Sequence, residues 1–428
     1  MIKIEKEYYL TPSCRYFISS DSDVSWNLPL CVELDHPFDE AKMRKAIDKL
    51  TAENDVMRCR VRNKNGSGEY TVLIADKADI DFTVQDRSGK SYEEAYADSV
   101  EDAKAFTAEK IDIFSSPPVR IRCYLISAES FLICMVVHHY VADAVGVAAL
   151  GTGLIGCYLG KDIHSSDDTK QFGYYLEKCG EMLVTEEYKK QADYWRNAMN
   201  GLEMPVSISK SAVSPLSADH QFVISRDMLY ELARNNRTTI FNVVMTALSV
   251  LYADMYGSID TAVGFISSDR RDGMFSSSTG NYTRMLTARL TWDKNDSYRS
   301  ALRKMVGITS EAVENSAAGD NLYSLPIYVS YIDERQTRRM SSSSDIRFIG
   351  IPIPHPTDCL MLACIEKSDE VNIGITANAE CYTDDKISET GIKLLEILRN
   401  MVLFPDRKLC DFLPEAVFSG NDTELIMI

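Results

Sequence analysis

The chain has 428 residues, 45% of them apolar and 25% charged, with a formal net charge of −17. That length and composition suit a soluble globular protein of two domains or one large two-lobed body. The acidic excess argues against nonspecific nucleic-acid binding, which needs a basic footprint, and an acidic partner would have to meet a local basic patch.

The opening, MIKIEKEYYL, lacks the apolar core of a signal peptide. A short charged strand is predicted to lead into Leu10-Thr11-Pro12. Asp39, after Pro37-Phe38, is the predicted N-cap of a helix whose inner face carries Ala46, Ile47 and Leu50. Residues 56–61 and 70–74 read as half-buried strands joined through Asn65-Gly66. The stretch 92–110 is acidic and helical. Residues 119–126 alternate Val119, Ile121, Cys123 and Leu125 against Arg120, Arg122 and Tyr124, and 127–130 make a turn. The continuous apolar run 131–137 then returns as the buried partner of an antiparallel hairpin.

That run ends in His138 and His139, with Asp143 four residues beyond His139. Polar groups at the exit of a buried strand are held by a rigid element and handed to a cleft. The bland alternative is a His pair that caps the strand end and is satisfied by backbone. The following segment, 145–159, is the longest apolar candidate, yet falls short of the ~18 residues that span a bilayer and reads as a buried core helix. Its Gly151-Thr152-Gly153-Leu154-Ile155-Gly156 spells GxGxxG, but it follows a helical segment instead of ending a strand, so close helix packing explains the glycines.

Residues 164–170 make the best linker. Thr185 is expected to cap a helix bearing Tyr188, Trp195 and Met199 and ended by Asn200-Gly201. A loop over 204–216, a short helix over 227–234 and a long helix over 239–256, capped by Thr238 and ended by Gly257, follow. Strands are predicted at 261–266, 326–332, 359–365 and 371–377. Arg335, Arg338, Arg339 and the serines 341–344 form a polar loop, and Thr383 caps a last helix running to Met401. Helices and strands alternate irregularly, an α/β (α+β) pattern of mixed sheets covered by helices. The eleven cysteines contain no CxxC pair, and Cys134, Cys157 and Cys364 lie in apolar runs. They read as reduced core thiols, which favours the cytoplasm. His36, His164, His220 and His355 are isolated, so no metal spacing is present.

Taken in order, these segments resemble the condensation domains of non-ribosomal peptide synthetases, within the wider acyltransferase group of chloramphenicol-acetyltransferase fold. The HHxxxDG signature stands as His138-His139-Tyr140-Val141-Ala142-Asp143-Ala144. LTPxQ appears as Leu10-Thr11-Pro12-Ser13-Cys14, and the "RHEALRTRF" element looks like Glu53-Asn54-Asp55-Val56-Met57-Arg58-Cys59-Arg60-Val61. The "YW" helix is similar to Asp193-Tyr194-Trp195, "GxPVAGR" to Gly264-Phe265-Ile266-Ser267-Ser268-Asp269-Arg270, and "GxFVNT" to Gly280-Asn281-Tyr282-Thr283-Arg284-Met285. Three positions depart: Ala144 for the motif glycine, which narrows backbone freedom and adds a methyl group, Cys14 for a glutamine, and Arg284 for an asparagine. Gly280-Asn281 is also similar to stand-alone alcohol acyltransferases of the same group.

The resemblance implies two chloramphenicol-acetyltransferase-like lobes, 1–168 and 169–428, meeting in a V around a central tunnel. It implies His139 as the catalytic residue facing that tunnel, either removing a proton from the acceptor or orienting it. A neutral imidazole of pKa ~6.5 suits both roles. His138, next on an extended segment, points the other way and is structural. Asp143 pairs with a distant arginine, Arg270, or Arg271 if the match slips by one; the plain alternative for both is a solvated loop pair. Ala144, Gly146, Tyr282 and Arg284 are candidate tunnel residues. No nucleophile is implied, since Ser267, Ser268 and the cysteines lack a base placed by sequence.

Three functions follow. The first is transfer of an acyl or aminoacyl group from a phosphopantetheine thioester on an acyl or peptidyl carrier protein, acting in trans, to an amine. The second is acyl transfer from coenzyme A to a small-molecule alcohol or amine. The third is a non-catalytic scaffold that kept the fold. No permanently bound cofactor, metal, nucleic acid or membrane is expected, and a monomer is.

Overall fold

The computed structural model describes residues 4–19, 26–64, 68–161, 171–203, 217–270, 273, 275–276, 278–319, 325–333, 346–351, 353, 359–378, 382–414 and 417–418. In chain order the elements are β1 (Ile4–Tyr9), α1 (Pro12–Ser19), β2 (Asn27–Leu34), α2 (Glu40–Glu53), β3 (Cys59–Lys64), β4 (Glu69–Ala75), β5 (Asp81–Asp86), α3 (Tyr92–Ala108), β6 (Val119–Leu125), β7 (Phe131–His138), α4 (Ala144–Tyr158), α5 (Phe172–Met182), α6 (Glu186–Ala198), β8 (Ser217–Ser225), α7 (Arg226–Asn235), α8 (Ile240–Tyr256), β9 (Asp260–Ser268), β10 (Thr283–Thr291), α9 (Tyr298–Glu314), β11 (Ile327–Ile332), β12 (Ile346–Ile349), β13 (Leu360–Glu366), β14 (Glu370–Asn378) and α10 (Asp384–Leu403).

The chain groups into two compact units. The first is Met1–Thr185 with Ser268–Thr283 and Met340–Pro356; the second is Glu186–Ser267, Arg284–Arg339 and Thr357–Ile428. A plain break after residue 168 would assign α5, 268–283 and β12 to the second lobe, whereas by contacts they group with the first. The expected linker 164–170, the loop 204–216, Asn65-Gly66 and the polar loop with Arg335, Arg338 and Arg339 lie outside the described residues, as do His164, His355 and Arg271.

In the first unit a five-stranded sheet runs β12-β2-β7-β6-β5, with β5 and β6 parallel and the rest antiparallel. The predicted hairpin is β6–β7, in register from Val119↔Val137 to Leu125↔Phe131. Every residue of β7 is buried, because β2 and β6 flank it and helices cover the sheet. The alternation read into β6 is different in fact. Arg120 is buried, donating to the Phe106 and Glu109 carbonyls, and Arg122 lies over the Phe106 ring and pairs with Asp102. Helix α3 covers that face, so arginine stems pack under it instead of meeting water. Pro29 sits inside β2 opposite Val136, just beyond the pairs Leu34↔Ile346 to Cys31↔Ile349 that β12 makes, so its missing N–H breaks no bond on that side.

Residues 56–61 do not form one strand. Asp55–Arg58 is a 3₁₀ turn that buries Val56 and Met57, and β3 starts at Cys59. Asp39 caps α2 as read, accepting from Lys42 N. A three-stranded antiparallel sheet, β1-β4-β3, completes the unit.

The second unit holds a six-stranded mixed sheet, β10-β9-β11-β13-β14-β8, with β9, β11 and β13 parallel. Helix α8 is nearly all buried within it. Its N-cap is Thr239, one residue later than expected; the Thr238 hydroxyl accepts from the Asn242 side chain instead. Gly257 ends it at φ 63°, and Thr383 caps α10. The fold is therefore mixed α/β, with several mixed sheets flanked by helices. No single described helix is long and apolar enough to cross a membrane.

Candidate active site

The site lies in the first unit, at the turn between β7 and α4. β7 ends at His138, whose backbone N–H donates to Pro118 O (2.8 Å). The His138 side chain is fully buried and its Nδ1 accepts from Tyr140 N (3.2 Å). His139, the next residue, turns the other way along the extended chain and is half-buried. Its N–H donates to Trp26 O (2.7 Å), and its ring stacks on Phe17, centroids 3.9 Å apart at 10°. Nδ1 of His139 is buried with no partner at hydrogen-bond geometry. Burial pushes the imidazole pKa down to about 4, aided by His138 and opposed by nearby backbone and the Asp143 carboxylate. Near neutral pH the ring is uncharged.

Asp143 organises the turn. It is the N-cap of α4, its Oδ1 accepting from Gly146 N (2.7 Å). Arg270, 127 residues away, grips both its oxygens: Nη2 donates to Oδ1 (2.8 Å) and Nε to Oδ2 (3.2 Å). Oδ2 also accepts from Tyr282 N (3.1 Å), and Asp143 N donates to Gly280 O (3.0 Å). The rest of the guanidinium donates to the carbonyls of Phe275, Ser278 (2.8 Å) and Gly280 (3.1 Å) and lies 4.3 Å over the Tyr282 ring. With 9% and 7% of the two side chains exposed, this is a buried, fully bonded pair and not the solvated loop reading.

Two glycines make the approach possible. A Cβ on Gly146 would meet Gly280 O at 2.6 Å, and Gly280, at φ 150°, has no room for a side chain beside the Tyr282 ring.

A family model described as "Condensation domain" matches residues 4–322. The chain belongs to the condensation-domain family. Among curated relatives, this condensation domain is 20% identical over 423 residues to a chondramide synthase of Chondromyces crocatus, covering 91% of this chain and 11% of that protein. It is 22% identical over 427 residues to gramicidin S synthase 2 of Brevibacillus brevis, covering 93% and 9%. The chain thus spans about a tenth of the length of these relatives. Among solved structures, the X-domain in its complex with OxyB from teicoplanin biosynthesis aligns with TM-score 0.81 at 14% identity, over 96% of each chain. The starter condensation domain of rhizomide synthetase, an R148A mutant in complex with C8-CoA, aligns with TM-score 0.73 at 14% identity, over 95% and 97%. These likenesses establish the fold.

After Asp143, Ala144 is the exposed first residue of α4, where a helical backbone suits alanine and requires no glycine. Gly146 and Tyr282 are buried in the packing around Gly280 and Arg270, and Arg284 is buried in β10 of the second unit. Of the four candidate tunnel residues only Ala144 presents open surface. The GxGxxG glycines serve packing: a Cβ on Gly151 would strike Leu30 of β2, and one on Gly153 would strike Leu50 of α2. Burial pushes the thiols of Cys59, Cys123 and Cys364 up, the last to about 12, which suits core residues and not nucleophiles. Phe17, Trp26, Gly280 and Asn281 were not singled out from sequence as His139 neighbours. They lie in three separate stretches, and only their order beside known motifs hints at a role.

Proposed function

We propose that this chain is a condensation-type acyltransferase. It takes an acyl or aminoacyl group from a phosphopantetheine thioester on a carrier protein supplied in trans and passes it to an amine. His139 assists direct transfer. The observation that carries this reading is an uncharged imidazole, partly open, at the end of a buried strand and four residues before the bonded Asp143 of the Asp143–Arg270 pair. Nδ1 is buried, which leaves Nε2 as the nitrogen to face reactants.

In the step, the amine nitrogen attacks the thioester carbonyl carbon, the C–N bond forms and the C–S bond breaks. Nε2 accepts the amine proton and returns it to the departing thiolate, which leaves as the phosphopantetheine thiol. A good leaving group means no covalent acyl-enzyme is required.

Mass spectrometry of products tests this with acyl-carrier and acyl-coenzyme A donors and an amine acceptor. His139→Ala should lower turnover by ~10²–10⁴-fold. If acyl-coenzyme A alone supports full turnover, the carrier donor is wrong and the coenzyme A reading replaces it. A second reading, a non-catalytic scaffold that kept the fold, draws on Ala144 in the motif and on the likeness to an X-domain in complex with OxyB. It requires that His139→Ala leave every activity unchanged and disturb only assembly.

A further inference from the structure

We propose that Phe17 and Asn281 are positioning residues for His139, tied together through α1. Phe17 sets the plane of the imidazole and covers one of its faces, while Asn281 holds the backbone from which the ring hangs. The catalytic consequence rests on the role given to His139 above; the clamp itself does not.

The turn that carries His139 is held locally by the bond from His139 N–H to Trp26 O, one step past the Asn27↔His138 pair, and residues far along the chain add to that hold. The clamp is made by distant residues. Asn281, 1% exposed, donates from Nδ2 to His139 O (2.8 Å). Its Oδ1 accepts from Thr283 N (3.1 Å) and Thr283 Oγ1 (2.6 Å), so both ends of the amide are used. The Thr283 carbonyl accepts from Ser13 Oγ (2.9 Å), and Ser13 lies one turn before Phe17 on α1. The hydrogen bonds therefore run from α1 through Thr283 and Asn281 to the His139 carbonyl, and the Phe17 stack closes the loop at the His139 ring. Phe17 is 5% exposed and is itself wedged edge-on against Trp26 (5.2 Å), whose ring also meets the imidazole edge-on (6.5 Å, 76°). A parallel ring face at 3.9 Å leaves the imidazole no freedom to tilt toward it, and this fixes the plane in which Nε2 lies.

The charged and titratable groups whose fields reach the ring are Asp143, paired with Arg270, from the start of α4, and His138 from β7, which points the other way. From α1 and Trp26 it meets aromatic rings, Tyr16 packing behind them. Removing the Phe17 ring thus admits water while leaving those charges in place, and the imidazole becomes easier to protonate.

The test is a pH titration of the full chain labelled with ¹³C at histidine Cε1, followed by NMR, with the His139 signal assigned by its loss in His139→Ala. The wild-type ring should titrate near pH 4. Phe17→Ala should raise that midpoint by about one unit or more toward the unperturbed ~6.5, and Phe17→Tyr should restore it. Asn281→Ala should broaden or split the His139 resonance. A Phe17→Ala midpoint equal to wild type, together with a single sharp signal in Asn281→Ala, overturns the proposal. If Phe17→Ala does not fold, Phe17→Leu, which keeps apolar bulk without a flat face, replaces it: a broadened His139 signal supports the clamp and an unchanged one overturns it. None of these readouts needs a substrate. Full acyl-transfer activity in His139→Ala would remove the role given to His139 and leave the clamp standing; an unperturbed titration would do the reverse.

Discussion

His139 stays uncharged because burial against Phe17 outweighs the pull of the Asp143 carboxylate. This has a signed consequence. Its folded-state pKa, about 4, lies below the unfolded ~6.5, so between those values the unfolded chain holds a proton that the folded one lacks. The group therefore costs no stability above ~6.5, and destabilises progressively as pH falls toward 4. Thermal melts of wild type and His139→Gln should diverge in that window, the variant losing less. If His139 acts as proposed, kcat/KM for the thioester donor should keep its acidic limb near pH 4, apart from any limb set by protonation of the amine. At the same scale, Arg270→Met or Asp143→Asn strands a buried charge and should cost ~3–5 kcal/mol by denaturant melts. The double variant should cost less than the sum. Arg270→Lys should not rescue, because a single ammonium cannot reproduce the two-pronged grip on Oδ1 and Oδ2.

At the scale of elements, the start of α4 is where the site is assembled. Asp143 caps it, Gly280 packs against it and Gly146 keeps the gap open. Gly146→Ala would gain ~1 kcal/mol in helix propensity. Its Cβ, however, would meet two backbone atoms of Gly280 within 3.0 Å, and such overpacking costs ~1–3 kcal/mol. Since backbone cannot swing aside as a side chain can, the clash should win. The variant should melt lower and lose acyl transfer more than stability, because Gly280 moves with Asn281. Several elements were readable locally. The β6–β7 hairpin, the Asp39 and Thr383 caps and the Gly257 stop follow from patterns a few residues long. Others were not. α1, β2, β5, α5, β8, β10, α9 and β12 went unread, and β6 looked half-exposed, because its arginines are buried by a helix whose placement no local period reveals.

At the scale of the molecule, the first unit is not a continuous stretch. Segment 268–283 brings Arg270, Gly280 and Asn281, and β12 pairs with β2, where Arg347 meets the buried Glu33. Asp55 accepts from Phe172 N and Gly173 N at the head of α5. A fragment cut after residue 168 would lack all of these. It should melt without a cooperative transition, or not fold, in calorimetry, and a sharp transition from that fragment would show that the added segments are dispensable.

The sequence by itself determined family, secondary-structure class and the His-His-Asp motif, because these rest on short-range periodicity and on residue order. It also pointed to Arg270 as the partner of Asp143, though only by resemblance and with Arg271 as the alternative. What the tertiary structure decided is everything that depends on closing long loops. It made Arg270 the residue on Asp143, placed Ala144 at the start of a helix, and brought Phe17 to the ring and Asn281 to the backbone carbonyl of His139. Contacts between residues more than a hundred positions apart leave no mark in local pattern; they exist only when the sheets that carry them are built.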